Sequence, residues 1–451
     1  MARTSKKSIV GRTQALLSLL IILLIAAGWL ATAYGTFVDR ELIEQNQALA
    51  PVDKFLEDHL YVRAANACKT AMTDYHTKNN QAIEDRLVSI YEAGEMMPEY
   101  YDLVKTRIGK NVASEQEIIN LASYTMESGS ESNAMSVLLE GLKKYPDSEE
   151  LKSLLATVQF DYMRTAADVA ELNVVGTSGN YPASNGSAWG VLNKSGRMAL
   201  DFQYEELLPF SGKYAIAKID GVYTLIDGSG YWNAVDKNGL DQVTQHIDKR
   251  IVGVKDGKAG IYSNTFQPIT EEQYEDVILN DNRMVFVKKE GKWALLDENL
   301  KPVTEYIFTD VPRNQAGSAI YKSFAVVADA NGYYIINTKG EPCMENRFAE
   351  MRALESGYAA CEEGNKWGFC NEKGNLMIAA EFEDAKSFSG ELAAIQYAGK
   401  WGYINKDDII VIENEYAEAS SFIGDTAIVK DDMGQYRFLT LKYYEMYTSN
   451  K

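Results

Sequence analysis

Several short stretches of this chain carry residues that chemistry uses, and each fails on spacing. Gly253-Val254-Lys255-Asp256-Gly257-Lys258 looks like a phosphate-cradling loop, in which backbone amides hold the phosphates and a lysine reaches them. It is one residue short, and Ala259 follows where Ser or Thr is needed. Asp236-Lys237-Asn238-Gly239-Leu240-Asp241 looks like the start of a calcium loop. The downstream glutamate that completes such a site is missing, and Asn-Gly is a common turn pair. His59, His76 and His246 are far apart, with no metal-ligand spacing. Cys68, Cys343, Cys361 and Cys370 form no CxxC pair. Cys361 and Cys370 flank one hairpin turn, where a disulfide or two buried free thiols would each fit. No Gly-x-Ser-x-Gly or His-Glu-x-x-His motif occurs, nor Ser-x-x-Lys with its partner motifs. Carboxylates are abundant, but no pair stands out. The expectation is a chain with no catalytic site, no cofactor and no metal.

Aromatic residues are different, because their spacing is regular. Trp189, Tyr223, Ala259, Trp293, Tyr333, Trp367, Trp401 and Tyr436 occupy equivalent slots, separated by 34, 36, 34, 40, 34, 34 and 35 residues. A second aromatic follows the slot by 15 residues in six units: Tyr204, Tyr274, Phe308, Phe348, Phe382 and Tyr416. Asn238 breaks this rule in the second unit. Both series stretch together at the 40-residue step, so the register is real. A fixed period in this range marks a repeat architecture. Such rings could stack on a sugar or a peptide. A regular aromatic at a fixed slot is more often core, so the slot residues, Ala259 aside, are assigned as structural repeat positions. A tryptophan there reaches the next unit, and the glycine beside it lets a neighbouring backbone or ring approach.

The best copies of the slot read Lys366-Trp367-Gly368-Phe369-Cys370-Asn371 and Lys400-Trp401-Gly402-Tyr403-Ile404-Asn405. This resembles the WG-repeat family, a bacterial β-repeat. The resemblance implies a β-repeat domain over 170–451 and carries over no functional residues. Each unit reads as short strands. In the seventh, Leu392 to Tyr397 and Lys400 to Asn405 flank an Ala398-Gly399 turn, and Ile409 to Ile412 is a β-branched run. One such meander is too thin to bury its own faces, so neighbours must stack. A closed propeller of seven or eight short blades is favoured over an open β-solenoid. In that propeller Thr426 to Tyr447 would complete the ring with Glu171 to Gly176.

Upstream, residues 39–165 read as helices. Ser114-Glu115-Gln116-Glu117 is a capping box, and Ile118, Leu121, Ala122 and Thr125 share one helical face. Small residues at Ala122, Ala134 and Gly141, with Pro146 closing the second helix, resemble a tetratricopeptide repeat. That family's binding of peptides and proteins is an implication of the resemblance. Residues 1–14 carry Arg3, Lys6, Lys7 and Arg12 without an acid, and Ala15 to Ala33 is uncharged and apolar. The pattern predicts a basic cytoplasmic tail over 1–14 and a transmembrane anchor over 15–36. A cleaved signal peptide ending near Ala33 is the alternative.

With 45 basic and 64 acidic residues in 451, the net charge of −19 argues against nucleic acid as a main partner. The sequence therefore predicts an α+β multi-domain protein. It has an N-terminal transmembrane helix, a tetratricopeptide-like helical segment and an all-β repeat domain. The expected role is non-enzymatic binding or scaffolding for a protein or cell-envelope partner. The expected location is a single-pass membrane site, with the repeat domain extracytoplasmic. The rival is a glycan- or peptidoglycan-binding or -processing protein with an acidic or aromatic site on the β-domain.

Overall fold

The computed structural model describes residues 20, 22–32, 40, 42–74, 80–173 and 179–448. The chain divides into two compact units, Met1–Leu151 and Lys152–Lys451. The expected transmembrane helix over 15–36 is corrected here. Among the described residues, no helix is long and apolar enough to cross a membrane. Helical residues in that stretch are 20 and 22–32. The tail over 1–14, the remainder of 15–36 and the cleavage site near Ala33 lie outside the described residues. The membrane partner and signal-anchor reading lose their structural basis with the span.

The first unit is helical. Helices Pro51–Glu57, Tyr61–Asp74, Asn80–Ala93, Met97–Gly109, Glu115–Glu127 and Glu131–Lys144 pack each on the next. Ser114 caps its helix reciprocally: its Oγ accepts from Glu117 N at 3.2 Å, and Glu117 Oε2 accepts from Ser114 N at 3.0 Å. Gly141 allows a close helix pair, since a Cβ there would sit 2.7 Å from Ile118 Cγ2. Arg107 is buried, yet it stays charged. Burial opposes its charge, and bonds to Glu117 and Asp85 outweigh that cost.

The second unit is a ring of small antiparallel sheets. Eight sheets are formed by the described residues. The seventh shows the full pattern: Asp384–Ala385, Leu392–Tyr397, Lys400–Asn405 and Ile410–Tyr416, in sequence order across the blade. The eighth is different. Its strands Glu418–Ala419, Thr426–Lys430 and Tyr436–Leu441 are completed by Tyr162–Ala167, which pairs with Tyr436–Leu441 from the start of the unit. The ring is therefore closed by strand exchange between its two ends. The closing strand is not Glu171 to Gly176, as the sequence suggests; Glu171–Leu172 instead begins the first blade, and 174–178 lie outside the described residues. Tyr162–Ala167 begins within the stretch read as helical, 39–165, and runs past its end.

Neighbouring blades share apolar cores all the way round. Trp367, Phe369 and Phe382 of the sixth meet Ala385, Phe388 and Ile395 of the seventh. Trp401 and Tyr403 of the seventh meet Ala419, Phe422 and Ala427 of the eighth. Ile428 and Phe438 of the eighth meet Leu172, Tyr181 and Ala183 of the first, so no pair of blades is left open.

The glycine of each Trp-Gly pair has a specific task. A Cβ on Gly402 would lie 2.5 Å from the carbonyl oxygen of Ile412, and one on Gly368 would lie 2.7 Å from that of Ile378. Gly190 stands in the same relation to Leu200, at 2.7 Å. The approaching backbone belongs to the outer strand of the same blade, where the register shifts by a bulge. These three blades have outer strands of seven residues each. In the third, fourth and fifth blades, which carry Gly260, Ala294 and Tyr334 at this position, the outer strand is reduced to isolated bridges, Ala259 with Tyr274, Trp293 with Phe308 and Tyr333 with Phe348.

Candidate functional site

The repeat is interrupted at one place. The 40-residue step between Trp293 and Tyr333 contains an inserted loop around residues 313–318. This loop is a strap across the middle of the ring. Gln315 Oε1 accepts from Ser421 N at 2.7 Å, linking the entry to the fifth blade with the inner edge of the eighth. Those blades are not neighbours, so their inner edges must both face the axis. The strap is held from beneath as well. Gln245 Nε2 donates to Gly317 O at 2.7 Å, and Asn280 Oδ1 accepts from Ala319 N at 2.7 Å.

The strap divides the channel. On one side is a cavity of about 510 Å³ lined by the inner turns of the second to fifth blades, including Phe210, His246, Asp281 and Tyr321, with Glu355 of the sixth at its edge. On the other side are two adjoining cavities of about 250 and 330 Å³ that share Gln315 and Lys386. The smaller is lined by Arg313, Arg352, Lys386, Asp384 and Glu355. The larger adds Trp401, Tyr436, Glu418, Lys430 and the apolar Ile428 and Val429.

A transverse row of side chains recurs in several blades. In the second blade Glu206, Lys218 and Tyr223 stand opposite one another on three adjacent strands. Lys218 pairs with Glu206 at 3.2 Å and lies 4.9 Å from the Tyr223 ring centre. Glu418, Lys430 and Tyr436 repeat the row in the eighth blade, at 3.1 Å and 4.7 Å. In the fourth blade Lys288 covers Trp293 at 5.7 Å. The sixth and seventh blades lack a lysine on the second strand. There the cation comes from the inner strand: Arg352 over Trp367 at 4.7 Å and Lys386 over Trp401 at 5.6 Å.

The slot residues can now be placed. Tyr223, Trp293, Trp367 and Trp401 are buried, as is Ala259, while Trp189, Tyr333 and Tyr436 are half-buried. Tyr333 donates to Asp310 Oδ2 at 2.8 Å, and burial with this bond raises its phenol to about 12. They are distributed round the ring rather than gathered in one site. Sequence reasoning missed Arg313, Arg352, Lys386, Gln315 and Glu355. Their signal was the 40-residue step, which marks the strap, and the recurrence of a cation 15 residues before the tryptophan at Arg352 and Lys386.

Charges in the chamber are unevenly matched. Arg352 pairs with Asp384 at 3.2 Å, and Arg313 pairs with Asp276. Lys386 has no ion-pair partner among the described residues; burial lowers its pKa, against the pull of Asp384. Burial raises the Glu355 carboxyl to about 7, with Ser389 Oγ at 3.5 Å opposing weakly.

The motifs set aside by spacing are turns. Asp256 and Gly257 join the strands Arg250–Lys255 and Lys258–Ser263 in left-handed conformations, φ 49° and 74°. Asp236 Oδ1 accepts from Asn238 N at 2.8 Å and Oδ2 accepts from Leu240 N at 2.9 Å, closing an Asx turn. Among the described residues no His, Cys, Asp and Glu cluster has the arrangement of a metal site. Cys361 and Cys370 are buried free thiols, and a hydrogen bond with Cys370 together with burial pushes the Cys361 thiol upward.

The family described as WG containing repeat matches at three places, residues 189–223, 367–401 and 401–432. These begin at the three Trp-Gly pairs, so the chain carries WG repeats in its C-terminal region. No curated protein matches the chain. Among solved structures, the Pan2 WD40 domain of Neurospora crassa aligns at 9% identity over 63% of this chain and 96% of its own, with a TM-score of 0.37. The SCAP WD40 domain of fission yeast aligns at 10% identity over 62% and 98%, with a TM-score of 0.34. The AfRom2 CNH domain aligns at 10% identity over 54% and 95%, with a TM-score of 0.31.

Proposed function

We propose that this chain is a non-enzymatic binding protein that recognises a protein partner at the strapped channel of its repeat ring. The strap carries this reading. Repeats that only build a scaffold need no insertion that crosses the axis, ties non-adjacent blades and leaves a lined chamber beside it. The chamber's contents suit recognition: fixed ion pairs, a lysine without a partner and an aromatic floor under cations. The glycan rival finds less support. Sugar stacking needs an open ring face, and the slot rings are buried or covered by lysine and arginine. The test is cross-linking of the full chain to its captured partners, followed by mass spectrometry. Partner peptides should join Lys386 and Lys430, beside the chamber. Cross-links confined to the helical unit would sink the channel as the recognition site.

A further inference from the structure

The geometry points to a carboxylate-binding site in the strapped channel, with Lys386 as its anchor. We infer that it takes a monocarboxylate whose body is apolar. This rests on the channel-recognition reading and specifies its ligand chemistry.

Three cations enter one small chamber of a chain whose net charge is −19. Arg352 and Lys386 come from the inner edges of consecutive blades, and Arg313 comes from the strap. At the place taken by Arg352 and Lys386, other blades carry Leu208, Thr244, Ile278 and Ser420. The cations are therefore no requirement of the repeat. Two of the three are neutralised, Arg313 by Asp276 and Arg352 by Asp384. Lys386 makes no ion pair among the described residues, with Asp384 and Glu418 acting on it only from beyond ion-pair distance, and it is half-buried and lines both cavities. A partly buried ammonium without a counter-ion is costly, and an incoming anion removes that cost. One surplus charge matches one carboxylate better than a doubly charged phosphate. Glu355 lines the same cavity, and burial raises its carboxyl to about 7, so its protonated form can donate to the bound carboxylate.

The adjoining chamber sets the rest of the ligand. Ala419, Ile428, Val429, Trp401 and Tyr436 give it an apolar and aromatic wall. Lys386 stands at the junction, because it lines both cavities. A carboxylate held there can extend an aliphatic body into this adjoining cavity. The carboxyl terminus of a partner chain ending in an apolar residue has this form, and so does a free short-chain fatty acid.

Calorimetry on the full chain tests the site with four probes: acetyl-Ala-Ala-Leu with a free terminus, its amide, hexanoate and inorganic phosphate. At least one carboxylate should bind at about 1 mM or tighter, with the amide about tenfold weaker than the acid. Raising salt from about 50 to about 500 mM should weaken binding. Lys386→Met should weaken the carboxylate about tenfold, while Lys386→Arg should hold it within about threefold. Melting of both variants shows that each is folded. If the free peptide binds and hexanoate does not, the source is a partner's terminus; equal binding of hexanoate assigns a free acid. The inference is overturned if neither carboxylate binds, if Lys386→Met binds like the parent, or if phosphate binds more tightly than both. Persistence of partner cross-links at the channel in Lys386→Met would then leave the broader recognition reading standing.

Discussion

At the scale of the residue, the Trp-Gly pair does two separable jobs. The tryptophan fills the seam between blades: Trp401 packs with Ala419 and Phe422 of the next blade. Trp401→Ala should therefore destabilise the ring by about 3–5 kcal/mol in urea melts, the range for a buried large aromatic. A loss below about 0.5 kcal/mol would return it to the surface. Gly402 serves its own blade instead. Its Cβ would meet backbone atoms of Ile412, Glu413 and Asn414, which cannot swing aside like a side chain. Gly402→Ala should cost about 1–3 kcal/mol, while Gly399→Ala tests a different cost, the left-handed φ of 76° at an open turn. Glu355 adds a pH dependence. Its folded pKa of about 7 lies above the ordinary carboxyl value of 4.5, so the folded state holds the extra proton between them. Its contribution to stability is present below pH 4.5 and is lost as pH rises towards 7. The melting temperature of Glu355→Gln relative to the parent should climb between those pH values. A flat difference would show that Glu355 titrates normally.

At the scale of the element, the strap is the departure from repetition. Its two ends are anchored by Gln245 and Asn280 beneath and by Ser421 across the axis. Gln315→Ala removes the cross-channel bonds and leaves the Ser421 amide without that acceptor. It should cost about 1–3 kcal/mol, the range for an unsatisfied buried donor. Hydrogen exchange at Ser421 should quicken at the same time. Unchanged exchange would mean that water replaces the glutamine without loss.

At the scale of the whole β unit, closure makes the two ends one element. Met163 pairs with Thr440 and Thr165 with Phe438, so the last sheet cannot be completed from either end alone. Deleting 160–168 and deleting 424–451 should produce the same defect: an open ring, exposed sheet edges, aggregation and loss of a single unfolding transition. An open repeat array would respond differently, losing little from the removal of one terminal strand. A 160–168 deletion that melts like the parent would count against closure by this strand.

Local chemistry determined much of this. The period, the slot aromatics, the turns at Asp236 and Asp256 and the Ser114 cap were all legible, because each depends on residues close in sequence. The transmembrane reading over 15–36 rested on apolar composition and a basic flank, and among the described residues no helix is long and apolar enough to cross a membrane. The closing strand was misplaced because Tyr162–Ala167 has no partner nearby in sequence; what makes it a strand is a free edge at Tyr436–Leu441. The sequence showed that eight similar units follow one another, and the 40-residue step showed where one is enlarged. Only the tertiary structure decided that the enlargement crosses the ring. Only it decided that Arg313, Arg352 and Lys386 meet, since side chains from separate blades converge through ring closure and not through any spacing along the chain.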